Sequence, residues 1–421
     1  MENHRDELLN FSKLRASKAQ YRTAEPSNLS SQQAVVESLS KLTNAPRFYA
    51  AEGFETTEGL HAVYYEALPF RGQPTAVFGW LGFPEDCCGT VPAIVLVHGG
   101  GGTAYREWVS RWNERGYAAI SIAVEGQTSV PNADDSPDSP WERHERSGPR
   151  RSGIYGDSCV PLTEQWMYHA VANTILANSL LRSIEKVDAT RIGLMGISWG
   201  GVIASAAIGF DARFAFAVMA YGCGGLAEAR NQYGRVLGNN ALYRQVWDPM
   251  LRLSRVKLPT LWFSWPEDEH FPMDCLAANY AAVTKEYMVS LVPKLGHGHE
   301  ASWQRPETYA FADSIVSGDG PWCLEKGACL HGCHYEVTFS SSKPLDGAVL
   351  VATQGHRVSG ECQWRETPAK LVQRGGCWVA MADLPLRATA WFVNVTSGKL
   401  VATGGYRQTE LDVSGDGGFD L

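Results

Sequence analysis

Several features are missing from this sequence, and each absence narrows the choice of function. No run reaches about eighteen consecutive apolar residues, so the sequence predicts no membrane-spanning helix. The first residues, Met1 to Glu7, are polar and lack the apolar core of a signal peptide, so we expect a cytoplasmic protein. The formal net charge is −8, whereas nucleic-acid binding needs concentrated Lys and Arg. The sequence therefore predicts neither a membrane nor a nucleic acid as partner.

Cys-x-x-Cys pairs are also missing, although the chain has ten cysteines. The densest group is Cys323, Cys329 and Cys333, with His331 and His334 beside them. Zinc sites usually combine close Cys-x-x-Cys pairs with further ligands, and this group matches that pattern only loosely. We therefore expect reduced thiols and no bound metal.

The 421 residues exceed the length of one ordinary domain. In the first part, Leu8 to Leu14 and Ser31 to Leu42 have near-helical apolar spacing. The pattern then changes to alternation in His61 to Ala67 and Thr75 to Phe83, which predicts two antiparallel strands. We expect residues 1–60 to form a peripheral segment that leads into the main domain.

From residue 91 onward, apolar runs alternate with helical patterns. Ala93 to Val97 is continuously apolar, as in a strand buried on both faces of a mostly parallel sheet. Further strands are predicted at Tyr117–Ala123, Arg191–Met195, Phe214–Met219, Thr260–Ser264 and Met288–Val292. This rhythm predicts a doubly wound α/β domain over residues 61–318. The segment 125–160, rich in Pro, Asp, Ser and Arg, interrupts this rhythm and is predicted to be a functional or disordered insert.

The last hundred residues have no helical periodicity. Four short strands separated by Gly, Pro and Ser are predicted at Tyr335–Phe339, Ala348–Ala352, Trp378–Met381 and Thr389–Val395. We therefore predict a small C-terminal β-sandwich over residues 319–421.

One serine lies at a strand-to-helix junction with glycines on both sides. Ser198 stands in Gly196-Ile197-Ser198-Trp199-Gly200, after a predicted strand and before a helix rich in small residues. A sharp turn of this kind projects the hydroxyl above the sheet, and its glycines leave room for it. A turn serine that caps the helix is the simpler interpretation, but the strand-turn-helix context favours a nucleophile.

A serine nucleophile needs a base and an acid, and both follow later strands in the expected order. Asp268 is the best-placed acid, between Glu267 and Glu269, which remain alternatives. His297 is the predicted base, and His299 is the second candidate. The acid would hold the imidazole in its reactive tautomer.

Backbone N–H groups that could bind an oxyanion are predicted at two turns. The N–H of Trp199 follows the nucleophile, and a second donor is expected from the glycines after His98. Gly100 is the favoured donor, with Gly101 as the alternative. A phosphate-binding P-loop is excluded because no Lys-Ser/Thr follows these glycines.

Substrate contacts are expected from the segment 125–160, which would lie over the carboxyl ends of the strands. Arg143 and His144 belong to its charged stretch, where four arginines could bind a carboxylate or sugar hydroxyls. A solvated charged loop is the alternative. Tyr221 follows another strand and is predicted to line the pocket.

Together these motifs resemble a bacterial group of α/β hydrolases labelled acetyl xylan esterase, dienelactone-hydrolase-like or prolyl-oligopeptidase-like. The resemblance spans Tyr64 to Ser314 and rests on the motifs His98–Ala104, Glu107-Trp108, Arg115–Ala119, Gln165-Trp166, Tyr168–Ala170 and Gly196–Gly201. It implies the α/β-hydrolase fold, the triad Ser198, Asp268 and His297, and an oxyanion site at Trp199 and the glycine loop.

The expected activity is hydrolysis of short-chain acyl esters or acetylated carbohydrates through an acyl-enzyme, without metal or organic cofactor. A prolyl-oligopeptidase-like peptidase is the alternative among hydrolases, although the tail is too short for a propeller. A catalytically inert carbohydrate-binding protein is the alternative outside enzymes. The sequence leaves open whether the chain forms a homo-oligomer.

Overall fold

The computed structural model describes residues 26–57, 59–85, 89–133, 140–355 and 358–409. The helices are α1 Pro26–Glu37, α2 Arg106–Asn113, α3 Trp166–Arg182, α4 Trp199–Phe210, α5 Gln232–Leu237, α6 Met273–Ala282, α7 His299–Trp303 and α8 Pro306–Val316. The helix predicted from Ser31 is confirmed, and it begins earlier, with α1 followed by a 3-10 turn over Ser38–Lys41. The helix predicted at Leu8 to Leu14 lies outside the described residues.

A nine-stranded sheet forms the centre of the molecule, in the order β1-β2-β3-β5-β4-β8-β9-β10-β11. These strands are β1 Phe48–Ala50, β2 Leu60–Phe70, β3 Gln73–Gly82, β4 Val91–Val97, β5 Ala118–Ile122, β8 Val187–Ile197, β9 Phe216–Ala220, β10 Thr260–Ser264 and β11 Tyr287–Leu291. Strands β1, β2 and β3 pair antiparallel with each other in turn, and β3 is antiparallel to β5. The strands β5-β4-β8-β9-β10-β11, in sheet order, are mutually parallel. The predicted antiparallel lead-in and parallel sheet are both confirmed.

The apolar character of the strands explains why helices cover both faces of the sheet. Every residue of β5, β9 and β10 is buried, which requires cover on both sides. Helix α3 is buried from Trp166 to Leu181 and packs against α4. Helices α2 and α8 meet through the rings of Trp112 and Tyr309, whose centroids are 4.8 Å apart. The carboxyl ends of the parallel strands remain accessible to loops.

The insert over residues 125–160 contains a two-stranded ribbon, β6 Gln127–Pro131 paired with β7 Trp141–Arg143. The sequence predicted an insert here but not these strands. The indole N–H of Trp141 donates to the carbonyl of Gly101 at 2.9 Å. Because Gly101 follows β4, the insert lies over the carboxyl end of that strand, as predicted.

Two antiparallel sheets form the C-terminal part, with orders β12-β13-β17-β16 and β15-β14-β18-β19, and with β20 on β18. Their strands are β12 Cys323–His331, β13 His334–Ser341, β14 Gly347–Thr353, β15 Arg365–Pro368, β16 Lys370–Arg374, β17 Cys377–Asp383, β18 Ala390–Ser397, β19 Leu400–Thr403 and β20 Arg407–Gln408. The rings of Tyr335 and Trp391 meet between the sheets, 6.0 Å apart. The domain limits at residues 60 and 318 stay predictions. None of the described helices is long and apolar enough to cross a bilayer.

Candidate active site

Ser198 occupies a strained turn between β8 and α4. Its φ of 56° and ψ of −120° lie in a region of backbone conformation that residues other than glycine rarely adopt. A Cβ at Gly196 would lie 2.0 Å from the carbonyl oxygen of Gly200. A Cβ at Gly200 would lie 2.1 Å from the carbonyl oxygen of Val97. Gly196 therefore allows the turn to close tightly on itself, and Gly200 allows it to pack against β4.

A continuous chain of hydrogen bonds joins Ser198, His297 and Asp268. The Ser198 Oγ lies 2.9 Å from His297 Nε2, and His297 Nδ1 lies 2.9 Å from Asp268 Oδ2. An ionised carboxylate only accepts, so His297 carries its proton on Nδ1, and Nε2 is left to accept from the serine hydroxyl. This geometry equips Nε2 to remove the serine proton.

The carboxylate that bonds to His297 is that of Asp268, and its two neighbours point elsewhere. Asp268 is fully buried, and its Oδ1 accepts from the N–H groups of His270 and Phe271. The carboxylate of Glu267 accepts instead from the N–H of Lys294, and Glu269 is exposed. The structure brings together Ser198, Asp268 and His297, and it leaves both glutamates outside that chain.

Aromatic rings hold the imidazole of His297. The ring of Tyr221 lies 4.6 Å away, and that of Phe271 stacks nearly parallel at 6.0 Å. Tyr221 is fully buried, and its hydroxyl donates to the carbonyl of Gly296. Burial raises the pKa of the Tyr221 phenol to about 12, so it stays neutral. Tyr221, predicted to line the pocket, thus lies against the imidazole and bonds to the loop that carries it.

His299, the second candidate base, contacts the glycine loop instead of Ser198. Its Nε2 accepts from the N–H of Gly99 at 2.8 Å. Burial, followed by the charges of His98 and His297, lowers the pKa of His299 to about 3. The neutral ring therefore remains an acceptor at neutral pH. Spacing alone could not separate His297 from His299, because both stand in one glycine-rich loop.

His98 fixes the start of the glycine loop. Its Nε2 accepts from the N–H of Val124 at 3.0 Å, which leaves Nδ1 to donate to the carbonyl of Gly99 at 2.6 Å. The side-chain amide of Gln127 bridges His98 and the carbonyl of Gly102. Burial is the main cause that lowers the pKa of His98 to about 4. Through these contacts, His98 has a structural role in the glycine loop.

The remaining N–H groups of the glycine loop are divided between internal bonds and open positions. Gly102 donates to the carbonyl of Gly99, and Gly101 donates to the carboxylate of Glu125. Within the described part of the chain, the N–H groups of Gly100 and Trp199 have no hydrogen-bond partner. These two are the donors that the sequence favoured, and Gly101, the alternative, is engaged.

Arg151 joins the insert to the glycine loop. Its Nε donates to Glu125 at 2.9 Å, and its guanidinium lies 5.8 Å from the ring centroid of Trp199. A Cβ at Gly100 would lie 2.6 Å from Arg151 Nη2. The ion pair of Arg151 with Glu125 therefore packs directly on the loop that carries the open N–H of Gly100.

A cleft of about 500 Å³ opens beside the glycine loop. Its walls include three arginines, one acid, an amide and an indole: Arg143, Arg150, Arg151, Glu125, Gln127 and Trp141. Arg143 lines this cleft, although two of its nitrogens donate to the carbonyls of Glu125 and Gly148. His144 packs on Tyr64 at 4.8 Å, and burial lowers its pKa to about 4.

The Cys- and His-rich segment near residue 330 lies on strands of the C-terminal sheets. His334 contacts the carboxylates of Asp383 and Glu336 rather than the cysteines. Across the described ranges, no group of three or more His, Cys, Asp or Glu side chains is arranged to hold a metal ion.

Comparison with known proteins gives one family and a set of related folds. The family model described as "Acetyl xylan esterase (AXE1)" matches residues 20–223, which include the glycine loop and Ser198. Acetyl xylan esterase from Paenibacillus sp. R4 has 21% identity and a TM-score of 0.53, covering 70% of this chain and 96% of its own. Acetyl xylan esterase 1 from Thermoanaerobacterium sp. JW/SL YS485 has 15% identity and a TM-score of 0.52, with coverages of 69% and 94%. A search of curated proteins finds no match. At these identities, the solved structures establish the fold.

Proposed function

We propose that this chain is a serine-dependent carboxylic ester hydrolase of the α/β-hydrolase superfamily, with the catalytic triad Ser198, His297 and Asp268. The observation that carries this proposal is the unbroken hydrogen-bond chain from the serine hydroxyl to a buried carboxylate. The family match supports the esterase class, and it contains the nucleophile.

In the first half-reaction, Nε2 of His297 removes the proton of Ser198 as Oγ attacks the ester carbonyl. The tetrahedral intermediate carries a negative charge on the former carbonyl oxygen. The buried Asp268 stabilises the imidazolium that forms. Nε2 then gives the proton to the alcohol oxygen, the C–O bond breaks, and the acyl group remains on Ser198.

In the second half-reaction, a water molecule takes the place of the alcohol. His297 removes a proton from this water, and the hydroxide attacks the acyl-enzyme. Collapse of the second intermediate returns the proton to Oγ of Ser198 and releases the carboxylic acid. The cycle needs no redox partner or further reactant, and we propose that it needs no metal or organic cofactor.

The N–H groups of Gly100 and Trp199 are the proposed oxyanion donors. The first turn of α4 adds the partial positive charge of a helix N-terminus at the same place. The bonds of Gly99 and Gly101 to His299 and Glu125 support this assignment, because they hold the loop while leaving Gly100 open.

We propose short-chain acyl esters or acetylated carbohydrates as the substrate class. The description of the family model supports the acetyl group. The cleft beside the glycine loop supports a sugar, because its walls combine the aromatic face of Trp141 with polar and charged side chains. Arg143, His144 and Tyr221 remain predicted substrate-side residues, and Arg151 joins them because it reaches Gly100.

The alternatives differ in what they require of Ser198. A peptidase would use the same triad on amide bonds, whereas an inert carbohydrate-binding protein would not need a polarised serine. The hydrogen bond between Ser198 and His297 favours an active hydrolase. A cytoplasmic location remains a prediction, and whether the chain forms a homo-oligomer remains open.

The proposed function is tested with p-nitrophenyl esters from acetate to octanoate, using wild type and Ser198→Ala. We expect turnover of the acetate ester by wild type, falling with chain length, and loss of that turnover in Ser198→Ala. An N-acetylated peptide amide in parallel tests the peptidase. Absence of turnover for every ester would contradict the proposal and favour the binding protein.

A further inference from the structure

A short turn of the C-terminal sheets lies against the candidate active site. The 3-10 turn Ser359–Glu361 follows β14 and lies against the loop that carries Asp268. A Cβ at Gly360 would lie 2.3 Å from the carbonyl oxygen of Asp268 and 2.9 Å from Cα of Glu269. Both neighbours are backbone atoms, so the contact cannot be relieved by turning a side chain. Gly360 therefore sets how closely the turn approaches the acid.

The same turn also holds the far end of the acid loop. The hydroxyl of the buried Ser359 accepts from the N–H of Met273, the first residue of α6, at 2.9 Å. The indole of Trp364 donates to the carbonyl of Ser359 and fixes the turn from its other side. The chain from Asp268 to Met273 is thus contacted at both ends by residues of the C-terminal sheets.

A second contact holds the strand that leads to the base. Strand β11 is the last strand in the order of the central sheet, so within the described residues no strand pairs with its other edge. The N–H of Leu291 donates to the Thr403 hydroxyl at 2.8 Å, and the Leu291 carbonyl accepts from the Asn394 amide at 2.8 Å. Thr403 in turn donates to Asn394 at 2.6 Å. These two buried side chains thus make hydrogen bonds to the backbone at the end of β11 that a neighbouring paired strand would otherwise make.

We propose, building on the function proposed above, that the C-terminal sheets are part of the catalytic apparatus and position the acid and the base of the triad. Gly360 positions Asp268, and the pair Asn394 and Thr403 positions the strand end from which the loop of His297 departs. All three are positioning residues, because none contacts Ser198. Without this support, the acid loop and an edge strand would both lose buried contacts.

The test is Gly360→Ala in the full chain, with Gly327→Ala as the matched control. Gly327 lies in β12 of the same region, has no left-handed φ, and has nothing within 4 Å of an added Cβ. We expect kcat of Gly360→Ala on p-nitrophenyl acetate to fall about 10- to 100-fold with little change in KM, because the acid is displaced while the oxyanion loop is untouched. The downfield proton resonance of the His297 Nδ1–H bonded to Asp268 should shift or broaden.

A second pair of variants covers the case in which Gly360→Ala fails to fold. Thr403→Val removes the hydroxyl bonded to Leu291 with little change of shape, and Thr403→Ser keeps it. We expect Thr403→Val to lower kcat and to alter the His297 resonance, and we expect Thr403→Ser to restore both.

Two failures can be told apart. If wild type neither hydrolyses esters nor reacts with a fluorophosphonate at Ser198, the proposed function is wrong. If wild type is active and Gly360→Ala or Thr403→Val keeps the wild-type kcat and resonance, the positioning role is wrong. A loss of thermal stability with unchanged kcat would also overturn it, since the contacts would then be structural only.

Discussion

Replacing Asp268 by Asn changes one atom of the proposed triad and reverses a hydrogen bond. The Oδ1 of Asp268 accepts from the N–H groups of His270 and Phe271, so the carbonyl oxygen of an Asn must stay there. Its NH₂ group then faces Nδ1 of His297. An NH₂ donor requires Nδ1 to accept, which moves the ring proton to Nε2. That tautomer cannot take the proton of Ser198.

We expect a large loss of kcat, because the substitution disables the base, and we expect the fold to be preserved. Holding the wrong tautomer costs on the order of 10⁴-fold in kcat in a serine hydrolase triad. This is about 5 kcal/mol in the activation barrier, at about 1.4 kcal/mol per factor of ten. The assay is kcat on p-nitrophenyl acetate, together with the thermal midpoint and the circular dichroism spectrum. We expect both structural measurements to stay near wild type.

Glu267→Gln and Glu269→Gln are the matched controls for the acid. Glu267 accepts from the N–H of Lys294, which a Gln oxygen can also do, and Glu269 is exposed. Both variants should keep near-wild-type rates. Asp268 is not the acid of the triad if Asp268→Asn retains activity within about tenfold of wild type, or if a glutamate variant loses as much activity as Asp268→Asn.

Two further predictions concern the histidines that do not act as the base. His299→Ala removes the acceptor of the Gly99 N–H, so kcat should fall about 10- to 100-fold at similar KM. The amide oxygen of His299→Gln can accept this bond and should recover most of the lost kcat. Equal rates in the two variants would contradict the proposed role of His299 in holding the glycine loop. Acidification from pH 7 to 5 should lower the free energy of unfolding. In the folded protein, buried His98 and His299 stay neutral down to about pH 4 and about pH 3, respectively. In the unfolded chain the same imidazoles bind protons below about pH 6.5, so acid favours the unfolded state. His98 and His299 each contribute about 2 kcal/mol to that loss, His144 adds to it because burial also lowers its pKa to about 4, and Asp248, whose pKa burial raises to about 6, returns about 1 kcal/mol. Urea unfolding at pH 7, 6 and 5 measures the sum, and a stability that rises on acidification would refute it.

The sequence predicted the elements whose signal is local. The apolar run of β4 and the glycines around Ser198 depend on near neighbours, so the strand and the strained turn could be read directly from the chain. The order of serine, acid and histidine along the strands was enough to nominate Asp268 and His297. These side chains lie within hydrogen-bonding distance of each other because parallel strands end at one edge.

The parts that the sequence did not reveal depend on contacts between distant segments. The bond from Gly99 to His299 joins residues two hundred positions apart, and nothing in either segment announces it. Likewise, Gly360 resembles any turn glycine until its distance to Asp268 is measured. The pairing of β6 with β7 was missed because it spans a Pro- and Ser-rich segment without regular alternation.

The most direct measurement of the central claim is covalent trapping of the nucleophile. Wild type, Ser198→Ala and Asp268→Asn are treated with a fluorophosphonate, digested, and mapped by mass spectrometry. We expect one adduct per chain on the peptide containing Ser198, no adduct in Ser198→Ala, and slow labelling in Asp268→Asn. Labelling that persists in Ser198→Ala, or no labelling of an active wild type, would show that Ser198 is not the nucleophile.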